Sequence, residues 1–178
     1  GSHRSGREVA TALLSSIDNR NLLWNEIVKD EGSNKAFQFA CKSGHVKILE
    51  MLFQKCAELN IELNAKDGVG LTAFHLACEN GHSNIAEMLI QKSAEFNIKL
   101  NDKDDDGKTA FHWACSQGNS KIAEMLIQKS AEFNINLNDK DALGWTAFDL
   151  ACRNGHLEIA EMLIQKSEIS IKLNEKDF

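Results

Sequence analysis

Apolar and polar positions along this chain follow a pattern that restarts every 37 residues. TAFHLACENGH begins at Thr72, TAFHWACSQGN at Thr109 and TAFDLACRNGH at Thr146, and a weaker copy, KAFQFACKSGH, begins at Lys35. A fixed period of this length marks a stack of like supersecondary units. Within residues 65–101, Lys66-Asp67-Gly68-Val69-Gly70 is turn chemistry, with glycines free to take positive φ. Thr72 has the hydroxyl of an N-cap. Ala73, Phe74, Ala77 and Cys78 recur at the spacing of one helical face. Gly81 stands where a helix ends at a C′ residue, and Ser83 can cap a second helix. Ile85, Ala86, Leu89 and Ile90 give that helix an apolar stripe, which Phe96 and Ile98 continue. The unit predicted is turn, short helix, tight turn, longer helix and return. Two such helices cannot bury their apolar faces alone and must stack on neighbours.

The period divides the chain. Residues 1–7 (GSHRSGR) read as a tag remnant and disordered lead, and residues 8–26 as an N-terminal helical cap or half-repeat, with Trp24 packed inside it. Four units follow at 27–64, 65–101, 102–138 and 139–174. Residues 175–178 read as the start of a truncated further unit, because Asn174-Glu175-Lys176-Asp177 resumes the turn motif. The end is either a half-cap or a cut from a longer protein.

Composition narrows the function. Of 178 residues, 43% are hydrophobic and 26% charged, as in folded soluble domains, and no apolar stretch is long enough to span a membrane. A net charge of −6 is ill suited to nucleic acid, where clustered lysine and arginine provide affinity. The five cysteines are an odd set, four of them one per unit at Cys41, Cys78, Cys115 and Cys152. That is not a disulfide framework and suits a reducing compartment, so a cytoplasmic or nuclear location is expected.

The motif D-x-x-G-x-T-A-F-H-x-A-C-x-x-G-H resembles the ankyrin repeat, whose signature reads T-P-L-H-x-A. The resemblance spans residues 27–178. It implies an all-α solenoid of helix-turn-helix units with hairpin tips, in which matching Thr and His are hydrogen-bonded to each other and to the turn. It implies further that tips and first helices line one concave side, where a protein or peptide binds. Two departures stand out. Ala73, Ala110 and Ala147 replace the family's proline, and the period is 37 rather than 33. The four extra residues fall in QKSAEFNIKLN, which predicts a second helix longer by one turn.

Residues 65–101 and 102–138 differ at ten of 37 positions, concentrated in the tip and first helix, while AEMLIQKSAEFNI recurs unchanged. Exposed back positions such as Gln91 and Lys92 are free to drift, yet do not. The differing positions are the candidate partner-binding residues: Val69, Leu71 and Glu79; Asp105, Asp106, Lys108 and Ser116; Leu143, Trp145 and Arg153. Trp145 is the expected anchor, because tips are exposed and tryptophan is enriched in hot spots. Trp113 replaces Leu76 and Leu150 in the first helix and is expected in the core.

Other constellations read as structure. His75 and His112 give way to Gln38 and Asp149 in the outer units, a variation that argues against catalysis. The cysteine ladder has one rung per unit, too widely spaced for a zinc ion, and predicts small buried positions. His45, His82 and His156 follow the glycine of their units, a series that Asn119 breaks, and read as local hydrogen-bonding residues rather than ligands. Asp102-Lys103-Asp104-Asp105-Asp106-Gly107 opens like a calcium loop, but its twelfth position is Trp113 rather than glutamate. No phosphate-binding or nucleophile-elbow motif is present. The sequence therefore predicts a monomeric interaction module with no catalytic, metal-binding, cofactor or small-molecule site, and no nucleic-acid or membrane partner. The alternatives are a regulatory or targeting array within a larger enzyme or channel, and an architectural spacer.

Overall fold

A computed structural model describes residues 32–175, with side-chain surroundings for residues 32–168. The predicted tag remnant, the 8–26 cap with Trp24, residues 27–31 of the first unit and the last three residues lie outside the described residues. Among the described residues there are ten α-helices and no strand. The first unit holds α1 (Gly32–Ser43), α2 (Val46–Gln54) and α3 (Cys56–Leu59). The second holds α4 (Ala73–Glu79), α5 (Ser83–Gln91) and α6 (Ser93–Phe96). The third holds α7 (Ala110–Ser116) and α8 (Ser120–Gln128), and the fourth α9 (Ala147–Arg153) and α10 (Leu157–Glu175). First helices form one layer, α1 on α4, α4 on α7 and α7 on α9. Second helices form the other, α2 on α5, α5 on α8 and α8 on α10. The core lies between the layers.

Each short first helix begins with a reciprocal cap. The Thr72 hydroxyl accepts the His75 backbone N–H at 3.3 Å, and His75 Nδ1 accepts the Thr72 N–H at 3.1 Å. Thr109 with His112 and Thr146 with Asp149 make the same pair, satisfying N–H groups that a helix start leaves orphaned. Unit 1 has Lys35 at the threonine position, and α1 begins earlier, at Gly32.

The tight turn between layers needs its glycine. Gly118 has φ +75°, and a Cβ there would meet the His156 ring at 2.6 Å. The ring sits so close because Nε2 donates to the Ser116 carbonyl at 2.9 Å. His82 donates likewise to the Lys42 carbonyl at 2.8 Å, and Asn119 Nδ2 to those of Cys78 and Glu79 at 2.6 and 3.0 Å. This series, expected to act locally, ties each unit to the one before it. The second-helix cap differs from expectation too. α5 begins at Ser83 with His82 as its N-cap and no side-chain cap bond.

The four extra residues do not extend the second helix in units 1 to 3. α5 stops at Gln91, Lys92 interrupts, and α6 is a separate turn closed by Asn97 in the left-handed region at φ 52°. Ser93 Oγ donates back to the Ile90 carbonyl at 2.7 Å, but Ser167 stands at the same position of unit 4 and Cys56 at that of unit 1, so the serine does not decide the break. Asparagine tolerates the left-handed conformation that ends a helix, and Asn60 and Asn134 take it in the neighbouring units. Unit 4 reads SEISIKLN, without that asparagine, and α10 runs unbroken for 19 residues. The predicted longer helix exists only there.

Ala40, Cys41, Ala77, Cys78, Ala114 and Cys115 are fully buried in the core. Burial pushes the thiols of Cys41, Cys78 and Cys115 far above the usual thiol range. Cys152 corrects the expected ladder: it is exposed, because among the described residues no further unit packs on α9.

Candidate partner-binding face

The tips are rigid because one aspartate organises each. Asp67 Oδ1 accepts the N–H groups of Val69 and Leu71 at 3.0 and 2.9 Å. Asp104 holds Asp106 and Lys108, and Asp141 holds Leu143 and Trp145, at the same range. A backbone bond closes each tip, from Asp67 N to Leu71 O and its two counterparts, with Gly70, Gly107 and Gly144 at positive φ. Successive tips are also joined: Asp105 N donates to Val69 O at 3.2 Å and Ala142 N to Asp106 O at 2.9 Å. The calcium-like run is therefore spent on turn architecture. Asp104 Oδ1 takes two backbone donors, and its Oδ2 accepts Trp113 Nε1 at 2.7 Å.

Histidine ties the tips to the first helices. His75 Nδ1 lies 2.8 Å from the Thr72 hydroxyl and accepts the Thr72 N–H, so Nε2 carries the proton and donates to the Lys108 carbonyl at 2.9 Å. His112 donates in the same way to the Trp145 carbonyl at 3.2 Å. Burial lowers the pKa of both rings, outweighing the carbonyl bonds and nearby aspartates. In unit 1, Gln38 Nε2 donates to the Ala65 carbonyl at 3.0 Å. Between units 3 and 4, Lys108 Nζ lies 3.5 Å from Asp141 Oδ2. Burial opposes ionisation of Asp141, but the N–H groups of Trp145 and Leu143 and the Lys108 charge prevail and hold its pKa below the ordinary value.

The candidate residues divide by exposure. Val69, Asp105, Asp106, Leu143 and Arg153 are exposed, Leu143 at 79%. Glu79, Lys108, Ser116 and Trp145 are half-buried. Leu71 corrects the expectation of an exposed tip: it is 8% exposed, because the last tip residue turns inward as its N–H returns to Asp67. Its successor Lys108 is held between Asp141 and the Trp113 ring, 5.7 Å from the ring centre. Trp113, expected in the core, is half-buried with its N–H on Asp104. Trp145 is half-covered by the Arg153 guanidinium, 5.0 Å over its ring. Sequence reasoning missed Phe148, Leu157 and Ile164, all exposed on the last unit. The signal was the neighbouring Asp149, which stands where units 2 and 3 carry a histidine.

The family model for ankyrin repeats (3 copies) matches residues 3–102 and 97–177. The chain belongs to the ankyrin-repeat family. No curated protein matches it. Ankyrin repeats are generally protein–protein interaction modules and generally non-catalytic. Among the described residues, no helix is long and apolar enough to cross a membrane, and no group of three or more His, Cys, Asp or Glu could hold a metal ion.

Proposed function

We propose that this ankyrin array is a non-catalytic module that binds a protein or peptide through its tips and first helices, on the concave side, with Trp145 and Leu143 as apolar anchors and Asp105 and Asp106 as charged contacts. One observation carries the reading. The side chains that change from unit to unit, Val69 to Asp106 to Leu143 and Gly68 to Asp105 to Ala142, stand on a frame whose hydrogen bonds do not change. Such a surface is already ordered, so little conformational entropy is lost on binding. Drift alone would have altered exposed back positions equally, and Gln91 recurs as Gln128 and Gln165.

The test is calorimetry with a partner recovered by affinity capture. Trp145→Ala is expected to weaken binding by at least about 2 kcal/mol, roughly thirtyfold in dissociation constant. Gln91→Ala, on the exposed back of α5, is expected to leave affinity unchanged. The reverse result, with circular dichroism showing both variants folded, would place the partner on the convex side and remove this assignment.

A further inference from the structure

Units 2 and 3 each lie between two described units, so the exposure of their tips is a property of the array itself. The two tips share one frame and differ in charge. Residues 65–71 hold one lysine and one aspartate, whereas residues 102–108 hold four aspartates and two lysines. Asp104 organises the second of these tips. Asp105 and Asp106 stand where unit 2 has Gly68 and Val69 and unit 4 has Ala142 and Leu143. The same turn forms in all three units, so the frame requires neither carboxylate.

Both side chains are exposed, and among the described residues their carboxylates make no hydrogen bond or ion pair. The lysines of the two tips are turned elsewhere. Lys66 Nζ donates to the Lys103 carbonyl at 2.8 Å and Lys103 Nζ to the Lys140 carbonyl at 3.5 Å. Lys108 Nζ is held between Asp141 and the Trp113 ring. Two adjacent uncompensated carboxylates repel each other on a chain whose net charge is already −6. The surface beside them is apolar. Asp105 N donates to the Val69 carbonyl at 3.2 Å, which sets Val69, 59% exposed, next to the acidic pair. Ala142 N donates to the Asp106 carbonyl at 2.9 Å, which joins the pair to the tip that carries Leu143.

The tip row thus runs apolar, acidic, apolar in steps of one unit. Resting on the reading of tips and first helices as the binding face, we propose that the partner is a basic peptide segment. It crosses the tips of units 2 to 4 with a lysine or arginine on Asp105 and Asp106 and apolar residues on Val69 and Leu143. Stacked helices lie about 8–10 Å apart, and an extended chain rises about 3.3 Å per residue. An extended segment therefore meets successive tips at every third residue. A cation between the two carboxylates relieves their repulsion. The apolar flanks keep water from the pair, which strengthens the attraction. Trp145 lies at one end of the same row and serves the same partner, so the basic residue sets which segments bind and the tryptophan anchors them.

Selection from a phage-displayed library of random peptides, with the whole chain as bait, tests this. Enriched peptides are expected to carry lysine or arginine in excess over the unselected library, with apolar residues three positions to either side. The tightest peptide is then labelled and titrated by fluorescence anisotropy. Asp105→Asn combined with Asp106→Asn is expected to weaken it about tenfold, the loss of two charge pairs. Added salt is expected to weaken the wild type more than this variant. Asp105→Lys combined with Asp106→Lys is expected to prefer the same peptide with its basic residue replaced by glutamate. Circular dichroism checks each fold, which uses neither carboxylate. No enrichment, enrichment without a basic excess, or an affinity indifferent to both aspartate variants would each overturn the basic partner. Trp145→Ala separates that failure from failure of the face. A peptide weakened by Trp145→Ala and not by the aspartate variants keeps the concave site and removes the charge assignment, whereas one indifferent to all of them removes both.

Discussion

Units 3 and 4 carry nearly the same words, TAFHWACSQGN and TAFDLACRNGH, in different surroundings. Both first helices start with the same reciprocal threonine cap, served by His112 in one and Asp149 in the other. Yet Cys115 is fully buried and Cys152 exposed, and Phe111 is covered where Phe148 is not. The cap is a local property, carried by residues three apart. Burial belongs to the stack, conferred by whichever unit comes next. His112 has both roles at once, capping its own helix through Nδ1 and reaching the next tip through Nε2. Asp149 keeps the first role and loses the second.

The sharpest way to break this comparison is one substitution made at both registered positions. Cys115→Glu places a carboxylate at a fully buried position of the hydrophobic core. An unpaired buried charge costs several kcal/mol in effective terms. Chemical denaturation is expected to show a loss of at least about 3 kcal/mol, or no cooperative transition at all. Cys152→Glu, measured in dilute solution, is expected to stay within about 0.5 kcal/mol of wild type, as surface changes usually do. Equal losses at the two sites would mean that position within the unit, not the neighbour, sets burial.

This division also explains what could be read from the chain. The period, the helix-turn-helix order, the Thr72 cap and the Gly81 turn rest on contacts a few residues apart, so they were legible in the local pattern. The ankyrin fold followed from four registered copies of that pattern. Leu71, Trp113 and Cys152 were misplaced for different reasons: Leu71 turns inward as its N–H returns to Asp67, Trp113 is held half-buried by its N–H bond to Asp104, and Cys152 has no described unit packed over it. The break between α5 and α6 was hidden in one small signal, the asparagine that turns left-handed.

The histidines give a second, smaller test. His75 and His112 are held neutral, their pKa values lowered from the ordinary 6.5 by burial. Below that pH the unfolded chain takes up protons that the folded chain resists, so their stabilising contribution, complete above about pH 6.5, declines as pH falls through the folded values. The steepest slope one such group can add is about 1.4 kcal/mol per pH unit. Asp141 loses its own contribution only in a separate window, below 3.8. Gln38 performs the inter-unit bond without titrating, so His112→Gln is expected to preserve most of the stability at neutral pH. It should also flatten the decline as pH falls below 6.5. Urea titrations across that range measure both. An unchanged slope in the variant would show that His112 is not the group responsible.

The smallest expected effect concerns the back of the array, where the recurrence of lysine has a local cause in one unit and lacks it in the next. Lys92 Nζ lies 5.2 Å from the Phe53 ring centre and 5.7 Å from that of Phe96, and the two ring centres are 5.1 Å apart with the planes tilted at 53°. Lys129 is its counterpart one unit on, but Ile90 stands there in place of Phe53, so the aromatic clamp cannot form. A partly exposed cation over aromatic faces contributes about 0.5–1 kcal/mol. Lys92→Ala is therefore expected to lower stability by that amount, and Lys129→Ala by less than about 0.5 kcal/mol. Phe53→Leu should remove the difference, because the loss on Lys92→Ala in that background should fall to the level seen at Lys129. Four denaturation curves beside the wild type decide it, those of Lys92→Ala, Lys129→Ala, Phe53→Leu and the Phe53→Leu/Lys92→Ala double variant. If Lys92→Ala costs as much with leucine at position 53 as with phenylalanine, the aliphatic stem of the lysine, rather than its charge over the rings, holds the two units together there.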